Sequence, residues 1–369
     1  MRPQSETELA ELIRSANGPL AIRGGGTRMI GRAASGERLE TVELSSIRLY
    51  EPGALTLVAG AGTPLAEIEA VLAAEGQRLP FEPPDMRGLL GSEGQSTIGG
   101  VVAANASGPR RVQAGACRDS LIGVRFVDGS GTIVKNGGRV MKNVTGYDLV
   151  KLVAGSYGTL GVLSEVSFKV LPAPEAEATL LLSDLDPVRA VEAMSAALGS
   201  PFEVTGAARQ VDGTTAFRVE GLDLSVRYRV GRLTELLGRW GDPQVELGTA
   251  SAGRWAEIRD VKAFHGREGD VWRLSVAPST APGLLDRLDA EALQLDWGGG
   301  LIWALVSEGT DLRARLGPIA GHATLVRASE PIRAMIPAFP PEAPPIAALT
   351  RGLRARFDPR GILNPGLMD

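Results

Sequence analysis

The chain has 369 residues, 44% of them hydrophobic and 22% charged, with a net charge of −4. That length can bury a core in two domains, and the charge lacks the basic surplus of a nucleic-acid binder. One cysteine, Cys117, permits no intrachain disulfide, and two histidines, His265 and His322, put a Cys/His zinc site almost out of reach.

The N-terminus lacks the apolar core of a signal peptide, and no stretch offers the ~18 apolar residues of a membrane span. These features predict a cytoplasmic protein without an integral membrane segment. There is no Gly-x-x-x-x-Gly-Lys-Ser/Thr loop, and no Gly-x-Gly-x-x-Gly follows a strand. Redox chemistry here would need an organic cofactor held in another way.

In chain order, Ser5 and Glu8 form a capping-box pattern before a helix with Leu9, Leu12 and Ile13 on one face. Asn17-Gly18-Pro19 stops it, and Leu20–Ile22 is a buried strand leading into Arg23-Gly24-Gly25-Gly26-Thr27-Arg28. Strands are expected at Thr41–Leu44 and Thr56–Ala59, then a helix from Thr63-Pro64 with Leu65, Ile68, Val71 and Leu72 inward. Val101–Ala104 can be a plain buried helix, which would make the glycines beside it a small-residue packing site in place of a cofactor wall. Leu121–Val127 and Thr132–Val134 flank an Asp-Gly hairpin turn. A glycine-bearing stretch at 142–149 follows, and an apolar strand runs from Val162 to Leu171.

The pattern changes after Pro172-Ala173-Pro174, so domains are expected at 1–172, 173–330 and 331–369. In the second, strands at Ala178–Leu182, Ala216–Val219, Val271–Val276, Leu301–Val306 and Ala323–Val326 are expected. They alternate with helices at Pro187–Leu198, Val226–Leu237, Pro282–Ala292 and Leu312–Ile319. This is the order of ferredoxin-like split units on one antiparallel sheet. Pro331–Pro345, with six prolines, reads as a linker to a returning tail. The fold class is α+β.

Three consecutive glycines at 24–26 leave no Cβ in the way, so several backbone N–H groups can converge on one anion. Thr27 adds a hydroxyl and Arg28 a charge, a combination suited to a pyrophosphate; a plain tight turn is the alternative. Thr97-Ile98-Gly99-Gly100 and Asn105–Arg110 set short hydrogen-bonding residues beside glycine, as the wall of a flat ring requires.

The ordered succession Arg23–Thr27, Pro83-Pro84-Asp85, Thr97–Gly100, Ser107–Arg111, Arg118-Asp119, Gly146–Leu149, Gly155–Gly161 and Phe357–Gly366 resembles the FAD-binding family of vanillyl-alcohol oxidase and p-cresol methylhydroxylase. It covers residues 15 to 172 and the last dozen. The short chain, Trp272–Val276 and Gly321–Leu325 are similar to the FAD-binding E subunits of bacterial glycolate oxidases (glycolate dehydrogenases). The resemblance implies a two-subdomain FAD-binding fold of the vanillyl-alcohol oxidase type with a ferredoxin-like α+β cap. It implies that Arg23, Gly24, Gly25, Gly26, Thr27 and Arg28 take the pyrophosphate. Pro84, Thr97, Gly99, Gly100, Asn105, Ser107 and Gly108 would line the path to the ring. Asp119 would anchor a loop or ribityl contact. Gly155, Gly158, Gly161 and Val162 would pack at the adenine end, and Asn364 would reach the flavin edge. Tyr147 and Asp148 would brace the fold.

Arg28 and Met29 follow Thr27 where members with covalent flavin present a histidine, so the FAD is expected to be non-covalent. The paired-histidine metal site of the larger relatives has no counterpart, since no His-x-His occurs; no metal is expected. Oxidation of a 2-hydroxy acid needs a base for the hydroxyl proton and a grip on the carboxylate, which the planar fork of arginine matches. Candidate arginines are Arg254, Arg273 and Arg327, and candidate bases are His265 and His322; Arg273 and His322 are the expected pair. The implied partners are a larger catalytic flavoprotein subunit and an iron–sulfur subunit, with peripheral placement at the inner membrane through them. A self-sufficient FAD-dependent dehydrogenase of another hydroxy acid or alcohol stays open.

Overall fold

The computed structural model describes residues 1–138 and 146–368. The part of the expected 142–149 stretch up to Thr145 lies outside the described residues.

The first helix is Glu6–Ser15, and the Ser5 hydroxyl accepts from the Glu8 N–H at its start. It buries Leu9 and Ile13. β1 (Leu20–Arg23) follows and pairs in parallel with β2 (Glu37–Glu40). The strand expected at Thr41–Leu44 is instead a turn, closed by Leu44 N–H on the Thr41 carbonyl. Leu39, fully buried, carries β2 although charged residues surround it. That masking is why the pattern pointed four residues too late.

β3 (Ile47–Glu51) and β4 (Thr56–Gly60) begin a five-stranded antiparallel sheet. Helix Leu65–Ala74 packs on it through Leu65, Ile68 and Leu72; Val71 is only half-buried. β5 (Gln77–Arg78) pairs outside that sheet with β9 (Leu171–Pro172). β6 (Leu121–Val127), β7 (Ile133–Gly137) and β8 (Val162–Lys169) complete the sheet in the order β3-β4-β8-β6-β7. Helix Ile98–Ala103 packs against β8 and buries Val101 and Val102 in the core below.

The second half is one antiparallel sheet of eight strands. β10 (Ala176–Leu182), β11 (Gly206–Arg209), β12 (Thr215–Gly221) and β13 (Gln244–Leu247) lie in the order β13-β10-β12-β11. β14 (Asp270–Val276), β15 (Ala292–Asp296), β16 (Leu301–Val306) and β17 (Gly321–Arg327) continue it as β15-β16-β14-β17. Each set is a split βαββαβ unit, and the two join edge to edge at Arg209 and Leu295. Helices Pro187–Leu198, Asp223–Leu237, Pro282–Leu288 and Leu312–Leu316 cover one face. The expected helix to Ala292 stops at Leu288, because Ala292 already begins β15.

All six residues of β16 are buried, so both faces of the sheet are covered. The second face meets the first half of the chain, where Met86 and Leu89 share a cluster with Trp297, Leu301 and Trp303. Buried charge ties the same surfaces together. Arg218 on β12 holds Glu82 with two bonds of 2.8 and 2.9 Å, and Arg78 and Arg110 share Glu220. The expected linker is partly helical: Glu330–Met335 forms a helix with Pro331 in its first turn, where proline's absent N–H matters least. After helix Pro344–Phe357 the tail returns, and the Leu20 N–H donates to the Ile362 carbonyl beside β1.

Removing Glu82 would leave Arg218 as a buried, under-compensated cation. Glu82→Ala is expected to lower the unfolding free energy by about 3 kcal/mol, measured by urea unfolding; a change under about 0.5 kcal/mol, the scale of an ordinary surface substitution, would show that the pair is dispensable.

Candidate functional site

The loop after β1 runs tight against residues 95–97. A Cβ on Gly25 would stand 1.5 Å from the Gln95 carbonyl oxygen, and one on Gly24 2.3 Å from Thr97 Oγ1. Only glycine permits that approach. The contact opens a groove of about 850 Å³, its mouth included. Arg23, Gly24, Gly25, Gly26, Thr27 and Arg28 all line it, as do Thr97, Gly99, Gly100, Gly158, Gly161, Val162 and Asn364.

Six of the expected cofactor residues stand behind this wall. The Pro84 carbonyl accepts from Arg28 Nη2. Asn105 Oδ1 accepts from the Arg118 N–H, and Ser107 Oγ from the Cys117 N–H. The Gly108 carbonyl accepts from Trp297 Nε1. Asp119 Oδ2 accepts from the Ala116 N–H and so holds its own short helix. Gly155 lines a separate cavity under helix Pro344–Phe357. Their short polar groups serve the loops, which spacing along the chain could not distinguish from serving a ligand. Asp148 caps a helix, as expected of a brace; the Tyr147 ring is exposed, and its carbonyl accepts from Asn136 Nδ2 and from the Leu149 N–H.

Asn364 is in the groove wall, with both ends of its amide occupied. Its Oδ1 accepts from the Ile22 N–H and its Nδ2 donates to the Tyr157 carbonyl. Asn364 and Tyr157 both have left-handed backbone, φ 45° and 51°. Such conformations persist when neighbours fix them, and here each is fixed through the other. Tyr157 is a wall residue that the sequence reading passed over as the variable position of Gly-Ser-x-Gly.

Arg28 is pulled down to about 10 by burial, and its Nε has no hydrogen-bond partner. Its Nη atoms brace Ser96, Thr27 and Pro84. Cys117 is buried, and burial pushes its thiol far above the usual range, so it is not a thiolate nucleophile.

Among the substrate candidates, Arg254 is consumed by a two-bond pair with Glu246 and by Gln210. Arg327 donates to four backbone carbonyls. His265 Nε2 bonds the Asp260 carbonyl. Arg273 and His322 remain. Arg273 pairs with Trp303 and Thr324, and Ser275 pairs with His322, so these side chains share the sheet face turned to the first half. The Arg273 guanidinium lies 5.1 Å from the Trp297 ring centroid and is pulled down to about 10 by burial, an effect that the Tyr157 phenol partly opposes. His322 is exposed at the start of β17, and partial desolvation, then Arg273 and Arg111, hold it below its usual pKa, which favours the neutral, proton-accepting imidazole.

A family model described as an FAD binding domain matches residues 1–137. The chain is 37% identical over 357 residues to glycolate oxidase subunit GlcE of Escherichia coli (strain K12), covering 95% of this chain and 92% of that one. The chain belongs to the GlcE family of FAD-binding proteins. It is also 32% identical over 194 residues to glycolate oxidase subunit GlcD of Bacillus subtilis (strain 168), covering 48% of this chain and 38% of GlcD. The solved structure of an alkyldihydroxyacetonephosphate synthase superposes on 99% of this chain and 76% of its own, with a TM-score of 0.72 and 16% identity. That likeness is one of fold, the two-subdomain FAD-binding type with its cap.

FAD is the cofactor of this family member, and the groove fits it. The side-chain-free stretch at 24–26 gives a diphosphate close access to backbone N–H groups, and the buried, unpartnered Nε of Arg28 is a donor beside it. Gly25→Ala is expected to lose most bound FAD while the eight-stranded sheet stays folded, because the added Cβ must displace the 24–27 loop or Gln95. Flavin content against circular dichroism measures this; full flavin content would remove the loop from the site.

Asp296, at the end of β15, is pushed up to about 7 by burial, while its Oδ1 accepts from the Trp297 N–H. A raised carboxyl contributes stability that is whole below its unfolded value near 3.8 and is lost as pH rises through about 7. Asp296→Asn keeps the acceptor and removes the charge. Its stability relative to the unmodified chain is expected to climb from pH 4 to pH 7 and then level off. Parallel profiles in urea unfolding at pH 5 and pH 8 would show that Asp296 ionises normally.

Proposed function

We propose that this chain is the FAD-binding subunit of a glycolate oxidase complex, oxidising a 2-hydroxy acid or relaying electrons taken from one. It is an FAD-dependent oxidoreductase by family. The reading is supported above all by its match to GlcE along nearly the whole of both chains. Bound FAD supplies a two-electron acceptor. The groove residues from Arg23 to Arg28, with Thr97, Gly99, Gly100, Gly158, Gly161, Val162 and Asn364, hold it without a covalent bond; Pro84, Asn105, Ser107, Gly108, Asp119 and Gly155 shape the loops behind. Arg273 grips the substrate carboxylate, and His322, kept neutral, takes the hydroxyl proton.

The partners we propose are a larger catalytic flavoprotein subunit and an iron–sulfur subunit. With one cysteine in the whole sequence, the chain has no ligand set for a cluster of its own. No described helix is long and apolar enough to cross a membrane; we place the complex in the cytoplasm, reaching the inner membrane through those partners.

The purified chain reconstituted with FAD is expected to show flavin absorption that acid precipitation releases into the supernatant. Glycolate-dependent dye reduction should be slow for the chain alone and rise on co-expression with the two partners. A colourless reconstituted protein would end the FAD reading. Brisk turnover by the chain alone, abolished by His322→Ala, would end the dependence on partners.

A further inference from the structure

Arg111 and Arg273 reach one place from opposite halves of the chain. Arg111 opens the helix Arg111–Ala114 beside the first half's loops, and Arg273 lies on β14. Their guanidinium carbons are 4.6 and 5.1 Å from the centroid of the same Trp297 indole. That indole is fixed, because its Nε1 donates to the Gly108 carbonyl three residues before Arg111.

Neither guanidinium has an ion pair or a hydrogen bond among the described residues; Asp119 acts on Arg111 and Asp296 on Arg273 only at longer range. Other shielded arginines of the second half are paired: Arg218 with Glu82, Arg254 with Glu246, Arg327 with carbonyls. Two like charges on one aromatic ring repel, and stacking on the indole offsets only part of that cost. An anion between them would turn the repulsion into two charge-assisted contacts.

We infer that Arg111, Arg273 and Trp297 form an anion clamp between the two halves of the chain, which binds a small 2-oxygenated carboxylate. Both guanidinium carbons lie within about 5 Å of one ring centroid, so they stand no more than about 10 Å apart, a separation that a carboxylate of two or three carbons bonded at both ends can bridge. One fork takes the carboxylate, and the other takes the oxygen on the adjacent carbon. His322 and Trp303 share the sheet face of Arg273, and Tyr157, which lines the groove, acts on Arg273 electrostatically. The inference deepens the proposed function, on which it rests for the choice of glycolate. Arg111 is the added positioning residue, and no part of the groove wall includes it.

The experiment uses the FAD-loaded full chain with glycolate and with oxalate, which has no C–H bond to oxidise. Binding is read by intrinsic tryptophan fluorescence and by Tm, against sodium chloride at equal ionic strength. A ligand bound across two halves should raise Tm saturably, by ~2 °C or more at high occupancy, and quench fluorescence over the same concentration range. Arg111→Gln and Arg273→Gln should each weaken Kd by about tenfold or more, the scale of one charge-assisted contact, while Arg111→Gln keeps its FAD. Arg111→Lys, which keeps the charge and loses the planar fork, should fall between. Three results would overturn the clamp: no saturable change beyond that of sodium chloride, an Arg111→Gln variant that binds as tightly as the unmodified chain, or equal binding by Arg111→Lys and the unmodified chain. Carboxylate binding by a chain that holds no FAD would keep the clamp and sink the proposed function, so the two fail separately.

Discussion

The main chain at Gly25 passes so near the Gln95 carbonyl that no side chain fits between them. The groove depends on that approach. It brings the loop after β1 onto the segment that caps helix Ile98–Ala103, where Thr97 Oγ1 accepts from the Gly100 N–H. Arg28 is thereby delivered to Ser96 and to the Pro84 carbonyl, with its Nε left over. The returning tail closes the far side through Asn364, which uses both amide ends on Ile22 and Tyr157. Segments from the start, middle and end of the chain thus meet in one wall. Each is held by a short-range contact that tolerates little change in side-chain volume.

A second constraint sets what faces the groove. The eight-stranded sheet carries four helices on one side and helix Thr249–Arg259 on part of the other, so the rest of that other side is covered by the first half of the chain. Alternation along β14 sends Trp272 and Leu274 to the helices and Arg273 the other way. Register then places Trp303 and His322 on the same side as Arg273. The buried pair of Arg218 and Glu82 and the bond from Trp297 to Gly108 lock that juxtaposition. Polar contacts of this kind contribute orientation more than net stability, since burying charge offsets much of the Coulombic gain.

The electrostatics of the junction follow. The first half brings Arg28 and Arg111, and the sheet brings Arg273. Tyr157 feels both Arg28 and Arg273, while burial keeps its phenol protonated. His322 feels Arg273 and Arg111 and is held neutral. A cationic junction with a neutral base suits an anionic substrate that must give up a hydroxyl proton, the chemistry implied by a hydroxy-acid oxidoreductase.

Much of this was written in the sequence. Strong period and clear stops fixed the helix at Pro187–Leu198 and the strand at Leu301–Val306 to the residue. The order of strands and helices after residue 175 pointed to split βαββαβ units, and the glycine loops in succession pointed to FAD. Sequence spacing failed where local signals were weak or shared. β2 hides one buried leucine among charges, and β11, β13 and helix Thr249–Arg259 carry little periodicity. Spacing could not separate Ser107 and Asn105, which brace loops, from Thr97 and Asn364, which reach the wall, because a short polar side chain beside glycine reads the same in both uses. Nor could it choose among five candidate arginines and histidines. Only folding showed that Arg254, Arg327 and His265 already have partners, and only folding set Arg111 and Arg273 on one indole from positions 162 residues apart (273 − 111). Partnering is a property of three-dimensional neighbours, and a chain read in order does not contain it.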